Sequence, residues 1–404
     1  MTDLVELEQI LAARERLAGV VATTPLEKSR AVSYEVGAEV LLKCEHLQRT
    51  GSFKLRGAYY RMSRLTAEER ARGVVCASAG NHAQGVALSA RLVDVPARVF
   101  MPAGAPLPKV AATRAYGASI TAVEGGVGEA LEAATAYAEE NGAVFVPPFE
   151  HPDIIAGQGT LGLDILDDVP DVGTVVVPVG GGGLISGIAA AIHARAAGTR
   201  IVGVQSDQAA AVPASLAAGQ PVTVEVGDTI ADGIAVSSPG DLTLAHIAAL
   251  VDDVVTVDDE SIARAVLVLA ERAKQVVEPS GAAGLAALLT GAVAPSAAGP
   301  TIALLCGGNV DPLLLSRIIS SGLVAEGRYL AFRTRVADRP GSLSAVLELV
   351  ARSGANVVGV EHHRVTPKLG LMEVELELEV ETRGRDHSSE LVAELRAAGH
   401  PVEV

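Results

Sequence analysis

The sequence predicts an α/β protein with a two-lobed core built on parallel sheets, followed by a small ferredoxin-like β-α-β-β-α-β module. Three observations predict it. Short β-branched runs alternate with Ala/Leu-rich helical stretches along most of the chain. After Tyr329 the order of elements changes to strands in adjacent pairs. The 404 residues also exceed the size at which one hydrophobic core stops growing.

In order, "GVVCAS" is followed by "NHAQGVALSARLV", "ARVFMP" by "LPKVAATRAYG", and "TVVVPV" by "LISGIAAAIHARAAG". Each pair reads as a strand and its crossover helix, giving parallel sheets covered on both faces. We expect a large lobe from residues 1–70 with 150–322, and a small lobe from 71–149. "TGAVAPSAAGP" reads as a loop and "SSGLVAEGRY" as a hinge. From 328 to 404 the chain then reads strand "YLAFRTRVA", helix "GSLSAVLELVARSG", strand "ANVVGVEHHRV", strand "LMEVELELEVE", helix "SSELVAELRAAG" and a last strand "PVEV". No fixed-period repeat is present.

Composition narrows the functional classes. Apolar residues make up 49% and aromatics 3%, with no Trp, so Ala, Val, Leu and Gly must fill the core. The formal charge of -16 opposes binding to nucleic acid or to an anionic membrane surface. Cys44, Cys76 and Cys306 are too few and too scattered for a disulfide framework or a zinc site, which fits a reducing cytosol. The segment "MTDLVELEQI" lacks the basic and apolar regions of a signal peptide, so we expect a cytoplasmic protein. The uncharged window Thr174 to Ile192 has membrane-helix length, but Pro178 and Gly180 to Gly183 interrupt it. It reads as strand, loop and helix.

Two glycine clusters call for different readings. "GQGTLG", Gly157 to Gly162, matches the dinucleotide pattern and precedes a helical run, yet Gly182 stands where that fold needs an acid for the ribose. These glycines read as close helix packing. Gly180, Gly181, Gly182 and Gly183 instead fall between a strand and a helix, where exposed backbone N–H groups at the helix's positive end make an anion cradle. Without the Lys-Ser/Thr of a nucleotide loop, the anion should be a compact phosphomonoester. In "RTGSFKLRGA", Lys54 follows Gly51, Ser52 and Phe53 rather than lying on a polar helix face, which favours a reactive lysine, although a single lysine taken alone reads as a solvated surface residue.

Taken together, "KCEHLQRTGSFKLRGA", "SAGNHAQG", "PVGGGGL", "ADGIAV", "EPSGAA" and "CGGN" resemble, in order, the fold-type II pyridoxal-phosphate enzymes, and among them the threonine dehydratases (threonine ammonia-lyases). The resemblance implies that Lys54 carries pyridoxal 5'-phosphate as a Schiff base and acts as the catalytic base. It implies that Phe53 lies against the ring and that Gly180 to Gly183 with Leu184 hold the phosphate. Asn81 would bond the ring's 3'-oxygen, Cys306 would face the ring nitrogen, and Gly233 and Glu278 would complete the cofactor's surroundings. The substrate carboxylate would dock on Ser78, Ala79, Gly80, Asn81 and His82, at the start of a helix near His82.

Several residues keep a second reading. Ser78 or Asn81 could simply cap that helix, and His82 reads as a structural histidine with no proton-transfer role. Cys306, at the end of "TIALLC", reads equally as a buried apolar residue. If it does face the ring nitrogen, a thiol would leave that nitrogen incompletely protonated, which suits prompt loss of a β-leaving group.

The reaction implied is deaminating dehydration of L-threonine to 2-oxobutanoate, and of L-serine to pyruvate. The nearest alternative is a serine racemase or serine dehydratase, followed by a β-replacement enzyme and, from another class, a non-catalytic amino-acid sensor. A racemase needs a serine hydroxyl opposite the lysine, where this chain has Ala79. Its metal acids are replaced at matching spacing by Gln205 and Ala211, so no metal site is expected.

"VADRPGSLSAVLELVARSGANVVGVEHHR" resembles an ACT domain, with Asp338, Gly341 and Asn356 at its turns. That implies control by isoleucine or valine; the other reading is a module that only joins subunits. A homo-oligomer, dimer or tetramer, is expected. In "EHHR", His362 and His363 point to opposite faces of a strand and cannot easily chelate together.

Overall fold

The structure is a computed structural model that describes residues 3–364 and 369–404. It contains two compact units, Met1–Asp311 and Pro312–Val404.

The first unit holds two sheets. In the larger, the strand order is Leu26–Lys28, Val40–Lys43, Thr301–Leu304, Thr174–Pro178, Arg200–Ser206 and Asp253–Val257. All neighbours are parallel except the first pair. The smaller is wholly parallel, in the order Ser119–Val123, Ala97–Pro102, Val74–Ala77 and Val144–Phe145. Strands such as Thr174–Pro178 and Val74–Ala77 are buried along their whole length, which is why their sequences run apolar without alternation. The Thr174 to Ile192 window resolves into that strand, a glycine turn and the helix Gly183–Arg195. Among the described residues no helix is long and apolar enough to cross a membrane.

The "GQGTLG" segment does not precede a helix; it lies inside one, Pro152–Asp168. A Cβ at Gly157 would come within 2.6 Å of Gly57 Cα, and one at Gly159 within 2.8 Å of the Gly187 carbonyl oxygen. These glycines let three helices touch backbone to backbone, and their amides are spent in the helix ladder.

The second unit opens with the helix Pro312–Ala325, which extends into the stretch read from sequence as a hinge. Its antiparallel sheet has the order Asn356–His363, Glu373–Glu381, Tyr329–Ala337 and Val402–Glu403. The helices Ser342–Ser353 and Arg385–Ala397 complete a β-α-β-β-α-β unit. Along Tyr329–Ala337 every second residue, including Leu330, Phe332 and Val336, is buried, as a sheet with one covered face requires. The last helix begins at Arg385, three residues before the sequence reading. Val365, the end of the strand predicted from "ANVVGVEHHRV", lies outside the described residues.

Candidate active site

The peptide before Lys54 is stitched to the "CGGN" segment. Gly51 adopts φ +70°, Ser52 forms an antiparallel bridge with Gly307, and Phe53 N–H donates to the Cys306 carbonyl at 3.2 Å. The helix Lys54–Ser63 then starts at Lys54 itself. Its ammonium donates to the Pro148 carbonyl at 3.0 Å and stands 5.1 Å from the centroid of the Phe53 ring. Burial pushes the Lys54 pKa down from 10.5 to about 8, with the neighbouring Cys306 and Glu278 only partly opposing it.

The four glycines form the turn between Thr174–Pro178 and the helix Gly183–Arg195. Gly182 has φ +93°, and the helix carries no side-chain cap, so its first N–H groups are left for a ligand. Glycine is also demanded by Phe149. A Cβ at Gly181 would sit 2.2 Å from the Phe149 ring, and one at Gly183 2.8 Å from Phe149 Cβ. Gln205 holds the turn from beneath, its Nε2 donating at 3.3 Å to both the Val179 and Gly180 carbonyls while its Oε1 accepts from Val212 N–H. Ala211 is buried at the start of the helix Ala211–Ala218.

The segment Ser78 to His82 lines the same cavity as this turn. The helix Asn81–Leu92 has Gly80 as its N-cap and no side-chain cap, contrary to the expectation that Ser78 or Asn81 fills that role. Ser78 Oγ instead accepts from Gly80 N–H at 3.1 Å, and Asn81 Nδ2 donates to Glu278 Oε1 at 2.6 Å. The start of the helix is therefore open to a carboxylate. His82 Nε2 lies 2.9 Å from the Val146 carbonyl, and burial, then the Lys54 charge, pushes its pKa down to about 3. With the ring neutral, its Nε2–H donates to that carbonyl.

On the floor of the cleft, burial and then the Asp232 carboxylate push Glu278 up to about 7. Burial likewise raises the Cys306 thiol, which stays protonated, with Sγ 3.9 Å from the Ser280 carbonyl. Gly233 N–H donates to Ser280 Oγ at 2.8 Å. All the site residues predicted from sequence line one cavity of about 300 Å³. Sequence reasoning missed Pro148 and Phe149, in an unread "PPFEHP", and the ion pair between Lys109 and Asp232, 2.7 Å, at the cavity wall. Asp232 stood inside the quoted "ADGIAV", but its partner lies 123 residues away.

The donor set fits a phosphorylated aldehyde: an uncapped glycine turn for a phosphate, a buried amine for the aldehyde, and an uncapped helix start for a carboxylate. Elsewhere, His363 gathers with Glu361 and Glu377 rather than with His362, and Glu377 is engaged in a two-bond pair with Arg333.

Residues 17–307 match the family model described as pyridoxal-phosphate dependent enzyme, and residues 331–400 match the ACT domain. An L-threonine ammonia-lyase of Thermotoga maritima is 47% identical over 403 residues, covering 99% of this chain and 100% of that protein. Among solved structures, maize serine racemase has a TM-score of 0.75 at 37% identity, over 80% of this chain and all of that one. The processed form of threonine deaminase isoform 2 from Solanum lycopersicum has a TM-score of 0.75 at 36% identity, over 78% and 87%. With a cleft that fits the cofactor and a family match across its larger unit, the chain belongs to the pyridoxal-phosphate dependent enzymes and carries an ACT domain at its C-terminal end.

Proposed function

We propose that this chain is a threonine ammonia-lyase, converting L-threonine to 2-oxobutanoate and ammonia and L-serine to pyruvate. The observation that carries the reading is a half-buried lysine, Lys54, lining one cleft with an uncapped glycine turn and an uncapped helix start. The full-length similarity to a protein named L-threonine ammonia-lyase supports it.

Gly180 to Gly183 and Leu184 would hold the phosphate, and Lys54 the aldehyde carbon. Phe53, Asn81, Gly233, Glu278 and Cys306 would surround the ring. When bound, pyridoxal phosphate supplies an electron sink that acidifies the proton on the substrate's Cα. The start of the helix Asn81–Leu92 orients the substrate by its carboxylate, with Ser78 to His82 as the docking segment. Burial draws the Lys54 pKa down to about 8, so that a larger share of the amine is neutral and able to accept the Cα proton. A neutral Cys306 thiol facing the ring nitrogen would give it no anionic partner, which would favour quick departure of the β-hydroxyl; the proton that Lys54 takes from Cα would leave with it as water. The released enamine regains that water on hydrolysis, so the net products are 2-oxobutanoate and ammonia.

The solved racemase relative favours one second reading, serine racemisation. Ala79 opposes it, because a methyl group has no proton to return to Cα. Lys54→Ala should lower 2-oxobutanoate formation by about a thousandfold or more. Wild-type rates in that variant would overturn the reading, and abundant D-serine from L-serine would favour the racemase. We further assign to the ACT domain a response to isoleucine or valine, to the chain a homo-oligomeric state of two or four copies, and to the protein a cytoplasmic location. Threonine kinetics unmoved by either amino acid would leave the domain a role in joining subunits.

A further inference from the structure

We propose that Asn309 is a positioning residue that fixes the Asn81 amide, so that Asn81 offers an N–H and not an oxygen to the ligand in the cleft. The proposal rests on the pyridoxal-phosphate reading above and concerns a residue that reading does not use.

Asn309 closes the "CGGN" segment. Its Nδ2 donates to the Thr50 carbonyl at 2.8 Å and to Asn81 Oδ1 at 2.7 Å. A primary amide nitrogen has two protons, so both are committed. With Asn81 Oδ1 held in this way, Asn81 Nδ2 must point the other way, where one proton goes to Glu278 Oε1 at 2.6 Å. Its second proton is left for a ligand. Turning the Asn81 amide over would set Nδ2 against the Asn309 Nδ2, and Oδ1 against Glu278 Oε1. The first contact would be mismatched outright and the second whenever Glu278 is ionised, and mismatched polar groups in a partly buried site are costly.

Space for the relay is cleared by glycines. A Cβ at Gly51 would fall 2.5 Å from Asn309 Oδ1, and one at Gly307 would fall 2.0 Å from Glu278 Oε1 and 3.0 Å from Asn81 Nδ2. Two loops thus forgo side chains where the three polar groups meet. The ligand chemistry that suits the outcome is an acceptor oxygen on an aromatic ring, which the cofactor carries beside its aldehyde. A reversed Asn81 would oppose that oxygen with another oxygen.

Two variants test this. Asn309→Asp keeps the shape but lacks both donors, and its carboxylate would draw the Asn81 Nδ2 toward itself. Asn309→Leu removes donors and acceptor alike, leaving Asn81 free to turn either way. The measurements are the Kd of the apo-protein for pyridoxal phosphate, the position of the bound cofactor's visible band, and the unfolding midpoint of the apo-protein. Asn309→Asp should weaken binding about tenfold or more and move the band, while Asn309→Leu should weaken it less, at similar midpoints. On an Asn81→Ala background, Asn309→Asp should add nothing. Wild-type affinity and band in Asn309→Asp, losses that track the midpoint in both variants, or a full effect on the Asn81→Ala background would each overturn the proposal. A wild-type chain that does not bind pyridoxal phosphate would instead break the functional reading itself.

Discussion

The two glycine clusters of the larger unit look alike in sequence and do opposite work. Gly157, Gly159 and Gly162 lie inside the helix Pro152–Asp168, whereas Gly180 to Gly183 lie in the turn that starts the next helix, Gly183–Arg195. In the first cluster the missing side chains admit protein: Gly57, Gly187 and Ala191 press against the space. In the second they admit Phe149 on one side and leave backbone N–H groups for an anion on the other. Glycine's meaning is set by what enters the room that it leaves. The clusters are also joined, because Gly159 and Gly187 are the point where the two helices touch, so the packing cluster positions the helix that the binding cluster begins.

The largest expected effect tests the packing side. A Cβ at Gly187 would lie 2.2 Å from the Ile155 carbonyl oxygen and 2.5 Å from Gly159 N, both backbone atoms that cannot swing away. Gly187→Ala should therefore lower stability by about 3 kcal/mol in urea unfolding of the apo-protein. The binding side predicts a different signature. Gly182→Ala places a side chain at φ +93°, a strain of about 1–2 kcal/mol, and should raise the Kd for pyridoxal phosphate about tenfold with less loss of stability. Equal destabilisation by both variants, with cofactor affinity unchanged in each, would erase the contrast.

The same distinction separates two buried titratable groups near the cleft. His82 takes up its proton near pH 6.5 when unfolded but only near 3 when folded, so between those values the unfolded state binds more protons. Its contribution to stability thus falls as pH drops through that window. Glu278, raised from 4.5 to about 7, acts in the opposite sense over 4.5 to 7. The difference between wild type and His82→Gln isolates the histidine. Between pH 6.5 and 5.5 wild type should lose about 1 kcal/mol more than the variant; equal losses would mean that folding does not depress the His82 pKa.

Local patterns were the legible part of this molecule. The strand Tyr329–Ala337 follows from apolar alternation, and the strand-turn-helix around Gly180 from a continuous apolar run broken by turn residues; both signals act over a few neighbours. The helix Arg385–Ala397 starts ahead of its sequence reading because Arg385, Asp386 and His387 carry no apolar signal. His387 is nonetheless buried, bonded to the Ser353 carbonyl 34 residues away and accepting from the nearby Arg383 N–H. "GQGTLG" misleads for a related reason: a motif does not say whether its amides are free. In the site, Lys54 and the glycine turn announce themselves, since their chemistry resides in their own segments. Phe149 against Gly181, Lys109 against Asp232 and Asn309 against Asn81 join residues far apart in the chain, and no short-range pattern encodes such pairs.

The proposed reaction converts threonine to 2-oxobutanoate and ammonia, with the water lost from Cβ regained on hydrolysis. The most direct measurement incubates the purified full chain with pyridoxal phosphate and L-threonine, and follows 2-oxobutanoate, ammonia and the configuration of the remaining amino acid together. 2-Oxobutanoate and ammonia should form in equal amounts, with the remaining threonine unchanged at Cα. No 2-oxobutanoate, or threonine inverted at Cα faster than it is deaminated, would contradict it.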